Sequence, residues 1–383
     1  MAVDASTTPE TDTVNVGFMP LTDCAALVMA AEGGFDRRHG IRIVLQRETS
    51  WANIRDRLGA GQLDAAHMLH GMAVGVELGI GCRQVDMAVL MALSQNGQSI
   101  TLSRALAGEG ATDGASLAAL MHAKPRRYAF AQTFPTGNHA MLLYYWLAAH
   151  GIDPFGEARV FTVPPPQMVN SLRSGIMDGF CAGEPWGARA VAEGVGVTVA
   201  TSQQIWRDHP GKVLGTTAAF VHAHPNASRA LVAAVLEASR WLDASDDNRL
   251  TAATVLAEAR YLNMDAALIA PRMLGQYDNG QGTHWQDHAR LRFFGDGAAT
   301  YPFLSDTMWF MTQFKRWGLL KDDPDYLGVA ARLCRAALYA EAAEITGTAL
   351  PGAPLRASAL VDGAVWDGSD PAAYAASFAI RRP

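Results

Sequence analysis

The sequence has little cysteine and none of the short motifs that mark common cofactor or nucleophile sites. Its four cysteines lie far apart among 383 residues and form no CxxC pair; they are Cys24, Cys82, Cys181 and Cys334. Reduced, partly buried thiols are therefore expected. No GxSxG, Walker loop or nucleotide-binding glycine fingerprint is present, so we expect neither an enzyme nor a bound cofactor.

The sequence also lacks long apolar runs and an export signal. No stretch reaches the roughly eighteen apolar residues that a membrane span needs. The N-terminal stretch MAVDASTTPETDT has neither a basic nor an apolar segment, so it does not predict a secretory signal. We expect a cytoplasmic protein, unless an upstream peptide has been removed. The formal charge of −6 argues against a broad nucleic-acid-binding surface.

Predicted strands and helices alternate along the first part of the chain. The strands VNVGFMPL, IRIVLQRE and LDAAHML are separated by the helices TDCAALVMAAEGGF and SWANIRDRLGAGQ, with Thr22 or Asp23 and then Ser50 as N-caps. The strands RRYAFAQ, ARVFTVP and MDGFCAG alternate in the same way with the helices NHAMLLYYWLAAHG and PPQMVNSLRSGIM. This order predicts parallel sheets with crossover helices.

The two halves share a local signature at identical spacing. Leu58, Gly61, Leu63, Asp64 and Ala65 match Leu172, Gly175, Met177, Asp178 and Gly179. In both halves a helix ends at a glycine and passes directly into a buried strand. We therefore predict an α/β protein with two related lobes, a ligand cleft between them and a helical C-terminal portion. Lobe 1 is placed at 14–105 and 217–330, lobe 2 at 106–216, and a C-terminal helix and tail at 331–383.

Ligands of open α/β sheets bind beyond the carboxyl ends of the strands, where helices begin. Trp51 is predicted in the first turn of a helix, where it either staples the helix to the core or covers a planar ligand while its indole N–H donates. Gln98 follows a glycine turn. It is either an exposed turn residue or a hydrogen-bond donor whose amide can be oriented toward a ligand. His139 lies at the start of an apolar helix. It could be a cap, a core histidine, a catalytic base or a hydrogen-bond donor to an anion.

Two further candidates lie later in the chain. Gly183 follows the strand DGFCA, where it either makes a simple turn or lets a ligand approach the backbone. Lys212 is predicted in a loop before a strand, as a surface lysine or as the cation of the cleft. Glu184 would repel an anion, so we expect it to point away or to pair with a base. His284 and His288 have metal-pair spacing without an evident third ligand, so no metal site is expected.

Seven segments in order resemble the nitrate/bicarbonate-binding family of the NrtA and CmpA type. They are GFMPLTDCAALVMAAEGGF, SWANIRDRL, LDAAHML, NGQSITLS, TFPTGNH with YYWLAAHGIDP, DGFCAGEPW and GKVLGTT. The resemblance implies a type II periplasmic-binding-protein fold with an oxyanion in the cleft. It also implies nitrate contacts at Trp51, Gln98, His139, Gly183 and Lys212. TFPTGNH differs from the family's usual TFPGGTH at Thr136 and Asn138.

Transport members of this family are exported and lipid-anchored, and this chain shows neither signal nor lipobox cysteine. It therefore resembles NasS, a cytoplasmic nitrate/nitrite sensor. That resemblance implies a partner, an antiterminator of the NasT type with an RNA-binding ANTAR domain. The ligand-free sensor would hold this partner inactive, and nitrate or nitrite would release it. No direct contact with nucleic acid or membrane is expected.

Three alternatives compete with this prediction. The first is a solute-binding component of a nitrate or bicarbonate ABC transporter. The second is an enzyme similar to the thiamin-pyrimidine synthases, which share the architecture and use histidines. The third is bicarbonate as ligand, which carries a proton that needs an acceptor and which calcium can accompany. A lysine at position 212 favours a site made only of donors, and therefore nitrate or nitrite.

Overall fold

The computed structural model describes residues 8–382, in which strands and helices alternate from the first strand onward. Residues 1–7, part of the stretch from which we expect no secretory signal, lie outside the described residues. The strands are β1 Thr13–Phe18, β2 Arg42–Arg47, β3 Ala65–Met68, β4 Met87–Gln95, β5 Gln98–Ser103, β6 Tyr128–Gln132, β7 Ala158–Thr162, β8 Gly179–Gly183, β9 Gly196–Thr201, β10 Pro210–Thr217, β11 Gln276–Asp278, β12 His284–Gln286, β13 Ser358–Ala359 and β14 Val365–Trp366.

The helices cover the connections between strands and most of the C-terminal portion. They are α1 Ala25–Glu32, α2 Phe35–Arg38, α3 Trp51–Gly59, α4 His70–Glu77, α5 Arg104–Gly108, α6 Gly114–Ala123, α7 Asn138–Ala149, α8 Met168–Arg173, α9 Trp186–Ala192, α10 Ser202–Ile205, α11 Ala218–Ala223, α12 Pro225–Ala244, α13 Asp246–Ala257, α14 Ala266–Leu274, α15 Leu304–Arg316, α16 Tyr326–Leu333, α17 Ala336–Thr346 and α18 Pro371–Ala376. Short 3₁₀ turns occur at Thr22–Cys24, Pro165–Gln167 and Gly295–Gly297. Within residues 8–382, none of these helices has the length and apolar character that crossing a membrane requires.

Each lobe is built on a five-stranded sheet. The strand order is β2-β1-β3-β10-β4 in the first lobe and β7-β6-β8-β5-β9 in the second. The strand β10 runs antiparallel to β3 and β4, and β5 runs antiparallel to β8 and β9. The pairs β1–β2, β1–β3, β6–β7 and β6–β8 are parallel, as predicted. In each sheet, the strand that enters from the other lobe (β10 in the first, β5 in the second) runs antiparallel to both of its neighbours.

The shared sequence signature has the same structural role in both lobes. Gly61 and Gly175 end their helices with φ of 68° and 73°, a left-handed conformation that glycine adopts without strain. The Asp64 carboxylate accepts the Asn15 backbone N–H at 2.7 Å, and the Asp178 carboxylate accepts the Ala129 backbone N–H at 2.8 Å. Each carboxylate thus fixes the third strand of its lobe against the first. The predicted relationship between the lobes is confirmed by this repeated geometry.

The chain crosses between lobes at points that differ from the predicted boundaries. The first crossing is at Asn96 and Gly97, whose φ values of 66° and 81° turn the chain from β4 into β5. The second is the segment between β9 and β10. Residues 98–105 were assigned to lobe 1 and 210–216 to lobe 2, yet β5 lies in the second sheet and β10 in the first. A strand belongs to the lobe whose strands it pairs with, and the local periodicity of the sequence carries no information about pairing.

The two lobes are in contact along helix α4 and the start of α7. A Cβ atom at Gly71 would lie 2.3 Å from the Thr136 carbonyl oxygen, and one at Gly75 would lie 2.6 Å from Thr136 Oγ1. Only glycine permits so close an approach. The Gly71 N–H donates to Asn138 Oδ1 at 3.2 Å, and Asn138 Nδ2 donates to the Pro210 carbonyl at 2.9 Å. The cleft is therefore closed on this side.

The C-terminal segment joins the second crossing to helix α15. The Val361 N–H donates to the Ile205 carbonyl at 2.9 Å, next to the bridge between Trp206 and Leu360. The indole of Trp366 donates to the Ser305 carbonyl at 2.8 Å. The C-terminal tail contains β13, β14 and α18, which pack on the body of the molecule.

Candidate functional site

The predicted site residues converge where the carboxyl ends of parallel strands face each other across the cleft. Trp51 is the first residue of α3, just beyond β2, and Ser50 caps that helix by accepting the Asn53 N–H at 3.2 Å. The Trp51 side chain is buried, and its ring lies 5.5 Å from that of His67 in β3. The Lys212 ammonium lies 5.9 Å from the Trp51 ring centroid. The predicted position of Trp51 at a helix start is confirmed.

A buried ion pair forms the charged centre of the site. Lys212 Nζ donates to Asp23 Oδ2 at 2.7 Å, and both side chains are completely buried. His67 Nε2 lies 2.9 Å from Asp23 Oδ1, while the Met19 N–H donates to His67 Nδ1 at 3.4 Å. Because Nδ1 accepts, the ring proton is on Nε2, and neutral His67 donates to the carboxylate. Asp23 therefore accepts from a lysine and a histidine at the same time.

The ionisation of these groups follows from their contacts. Burial alone would raise the pKa of the Asp23 carboxyl, but the Lys212 charge and the His67 hydrogen bond outweigh burial and hold that pKa well below its usual value. Burial lowers the pKa of His67, which stays neutral despite its carboxylate partner. The centre thus contains one negative charge, one positive charge and a neutral imidazole.

His139 faces this centre from the second lobe. It is the second residue of α7 and completely buried. Burial, reinforced by the positive charge of Lys212, lowers its pKa well below the ordinary histidine value. Its Nδ1 is hydrogen-bonded to Thr133 Oγ1, and its Nε2 has no partner among the described residues. In the tautomer in which Thr133 donates, Nε2 carries a proton for an incoming ligand.

Gln98 and Gly183 pair across the second sheet. They stand opposite each other in the antiparallel register of β5 and β8. Gln98 is 1% exposed, which excludes the exposed turn alternative, and its Nε2 donates to the Gly211 carbonyl at 3.2 Å. A Cβ atom at Gly183 would lie 3.3 Å from Leu21 Cδ1 and 3.6 Å from Asp23 Oδ2. The end of β8 thus lies against Leu21 and Asp23 of the first lobe.

Two local predictions need correction. Lys212 lies within β10 and not in a loop, because backbone pairing with β3 and β4 extends that strand to Pro210. Neither Thr22 nor Asp23 caps a helix through its side chain; Thr22 instead donates through N–H and Oγ1 to the Glu184 carbonyl of the other lobe, at 2.8 Å and 3.0 Å.

Glu184 pairs with a base, as predicted. Its carboxylate accepts the Ser99 hydroxyl at 2.8 Å and the Ala188 N–H at 3.0 Å, and it lies 3.5 Å from Arg272. These contacts turn the charge away from a ligand in the cleft. Within the part of the chain that the structure describes, no group of three or more potential metal ligands occurs.

Sequence reasoning missed Asp23 as a site residue, and the five predicted contacts did not include His67. The signal for Asp23 is its position just beyond β1, at the same strand edge that selects Trp51. Its interpretation as a cap obscured this signal. Asn138 was noted only as a departure from the family pattern, and it joins α7 to β10 and α4.

The arrangement suits a small hydrogen-bond acceptor. Among residues 8–382, several buried side-chain atoms have no partner, and two of them, Trp51 Nε1 and His139 Nε2, belong to side chains near Lys212. Buried polar groups in folded proteins are usually paired. The buried ammonium distinguishes these two atoms from the other unpaired ones and makes this a place where an anionic ligand can supply acceptors. A small anion meets that requirement at a helix start.

Comparison with known proteins gives consistent relatives over nearly the whole chain. Residues 7–257 match the NMT1-like family. The nitrate/nitrite binding protein NrtA of Synechocystis sp. is 34% identical over 393 residues, covering 99% of this chain and 87% of NrtA. The bicarbonate transport ATP-binding protein CmpC of Synechocystis sp. is 36% identical over 96% of this chain. The chain spans only 55% of the length of CmpC.

The same similarity is found in three dimensions. The crystal structure of the periplasmic nitrate-binding protein NrtA from Synechocystis superposes with a TM-score of 0.93, at 33% identity, covering 97% of this chain and 100% of NrtA. The predicted periplasmic-binding-protein fold with two α/β lobes is therefore confirmed. These relatives are binding and transport proteins by name.

Removing the Lys212 charge should destabilise the fold because it leaves Asp23 buried without a counter-ion. We expect Lys212→Met to lower the free energy of unfolding by about 3–5 kcal/mol, measured by urea denaturation. Lys124→Met, which breaks an exposed pair with Glu109, should cost under about 1 kcal/mol. Adding Asp23→Asn to Lys212→Met should restore most of the loss. Equal stability of the two single lysine variants would contradict this account.

Stability should fall on mild acidification because four buried histidines are neutral. Burial lowers the pKa of His67, His139 and His209, and lowers that of His70 to about 3. Below pH about 6.5 the unfolded chain binds protons that the folded chain does not, so stability is present above that pH and lost below it.

His70→Gln should reduce the slope of unfolding free energy against pH by about 1.4 kcal/mol per pH unit between pH 6 and 4. Denaturant titrations of His70→Gln and of the wild type at several pH values provide the measurement. If the wild type had the same free energy of unfolding at pH 7.5 and pH 5, the prediction that the buried histidines are neutral would be wrong.

Proposed function

The chain belongs to the NMT1-like family and is similar over nearly its whole length to the nitrate/nitrite binding protein NrtA, and on that premise we propose that it binds nitrate or nitrite between its lobes. The observation that carries the proposal is the pair of unpartnered donors, Trp51 Nε1 and His139 Nε2, beside buried Lys212. We propose a binding protein and not an enzyme. Gln98 and Gly183 would complete the site at the paired ends of β5 and β8.

Nitrate is a planar, weakly basic monoanion, and it needs several directed donors more than one strong base. A neutral imidazole N–H, an indole N–H and an ammonium group can be directed at separate oxygens of such an ion. The start of α7 adds a favourable dipole. The pKa of His139, lowered by burial and by Lys212, argues for a hydrogen-bond donor and against a charged base.

Bicarbonate is a second candidate because the site is not made only of donors, contrary to our expectation. Asp23 places a carboxylate directly on Lys212, and Gln98 Oε1 has no partner among the described residues. Either oxygen can accept a proton from a ligand. The bicarbonate-transport relative CmpC agrees with this alternative. Nitrate stays our first proposal because the full-length match is to NrtA.

We further propose that the protein is a cytoplasmic sensor that controls an ANTAR-type antiterminator of the NasT kind. The hydrogen bonds between the lobes support this role, because they would break if the lobes separated. Thr22 donates to Glu184 on one side of the cleft, and Gly71 and Asn138 join the lobes on the other. A ligand between the lobes would favour the closed arrangement, and only such a difference between states can release a partner.

Calorimetry of the full chain with nitrate, nitrite and bicarbonate tests the proposed ligand. We expect a micromolar dissociation constant for nitrate or nitrite, which corresponds to about 8 kcal/mol. Trp51→Phe keeps the ring and removes the N–H, so nitrate binding should weaken about tenfold or more. Trp317→Phe removes another buried, unpartnered indole N–H just beyond the end of α15 and should leave affinity unchanged. An unaltered isotherm for Trp51→Phe would return Trp51 to a packing role.

The sensor role is tested with the partner present. We expect the antiterminator to co-elute with the ligand-free protein on a sizing column and to separate when nitrate or nitrite is added. In cells, the native protein should fractionate with the cytoplasm. A complex that survives saturating nitrate would contradict the sensor role, and a periplasmic location would favour the transporter component.

A further inference from the structure

The geometry points to Asp23 as the residue that restricts this cleft to monovalent anions. This inference rests on the proposed function, because it describes the selectivity of the proposed anion site. Neither the resemblance to the family nor the five predicted contacts included Asp23. Asp23 makes two hydrogen bonds, is buried and lies between the lobes.

Asp23 is held in one orientation by both of its oxygens. Oδ2 accepts Lys212 Nζ at 2.7 Å, and Oδ1 accepts His67 Nε2 at 2.9 Å. His67 is itself fixed by the Met19 N–H on its other nitrogen. The carboxylate is completely buried, so water does not screen its charge. It cannot rotate away from a ligand without breaking both bonds.

Asp23 also lies at the meeting point of the lobes. A Cβ atom built at Gly183, on the opposite side of the cleft, would be 3.6 Å from Asp23 Oδ2. The same oxygen holds the lysine that would contact the anion. Any anion that reaches Lys212 therefore also comes close to the Asp23 carboxylate.

The charges of the described side chains around this centre sum to zero before a ligand enters. Asp23 and Lys212 cancel, and burial lowers the pKa of His67, His139 and His209, so all three are neutral. Burial raises the pKa of the Cys24 and Cys181 thiols, which are also neutral. Glu184 is compensated by Arg272, 3.5 Å away.

When a monoanion enters this electrically neutral centre, the centre carries a net charge of one, and the unpartnered donors can stabilise that charge by hydrogen bonds. A dianion such as sulfate would meet the same donors and twice the repulsion from a fixed carboxylate. Exclusion of dianions is therefore a consequence of Asp23, and Lys212 alone would not produce it. Replacing Asp23 by Asn keeps the shape and removes the repulsion.

The test is calorimetry of the full chain with sodium nitrate and sodium sulfate at matched ionic strength and pH 7.5. In the wild type we expect sulfate to bind at least 100-fold more weakly than nitrate. In Asp23→Asn we expect the ratio of the sulfate and nitrate dissociation constants to fall at least tenfold. Asp243→Asn breaks another ion pair to a buried arginine, Arg249, away from the cleft, and should keep the wild-type ratio.

A purely structural role for Asp23 would weaken both anions together and leave their ratio unchanged. The variant Asp23→Glu keeps the carboxylate charge, so its ratio of sulfate and nitrate dissociation constants should stay close to the wild-type value. It also serves if Asp23→Asn does not fold, because a tenfold fall of the ratio in Asp23→Glu, where the charge is kept, would overturn the charge argument.

The outcomes for ligand and selectivity are separable. Wild-type protein that binds nitrate, with an unchanged ratio in Asp23→Asn, overturns the inference and leaves the proposed function standing. Wild-type protein that binds sulfate as tightly as nitrate also overturns the inference. Wild-type protein that binds neither nitrate, nitrite nor bicarbonate overturns the proposed function itself.

Discussion

Lys212 and Asp23 form an ion pair that is completely buried where the two lobes meet. A buried charge is tolerated only when its partner and its hydrogen bonds are in place. The surrounding elements satisfy that condition: β10 positions Lys212, the turn after β1 positions Asp23, and β3 supplies His67. Because β10 arrives from the second lobe, the position of the pair depends on the crossing of the chain between lobes. The fold and the site are thus linked through one interaction.

Burial and the charge of Lys212 together keep the neighbouring histidines neutral. Burial is the larger cause, and the ammonium reinforces it by lowering the pKa of His139 and His209 further. The result is a set of neutral donors instead of a cluster of positive charge. Such a site binds through directed hydrogen bonds, and its occupancy affects the lobes because the donors come from both of them. Under the proposed function, ligand binding would be coupled to closure through Trp51 on one side and His139 on the other.

Much of this organisation could be predicted from the sequence. The helix starts at Trp51 and His139, the strand end at Gly183 and the lobe duplication at Asp64 and Asp178 all follow from local pattern. The lobe to which β5 and β10 belong could not be predicted, because strand pairing joins residues that are far apart in the sequence. Asp23 was missed for a related reason: the sequence PLTDC fits a helix cap equally well, and only the fold places its carboxylate on a lysine 189 positions away. The same holds for Asn138, whose partners lie on β10 and α4.

The central claim is that a small monoanion occupies the space between the unpartnered donors and Lys212. A crystal structure of the protein grown with nitrate tests this most directly. The account predicts one nitrate between the lobes, with oxygens within about 3.2 Å of Trp51 Nε1, His139 Nε2 and Lys212 Nζ. A cleft without nitrate at saturating concentration, or nitrate bound elsewhere with those donors still unpaired, would contradict it.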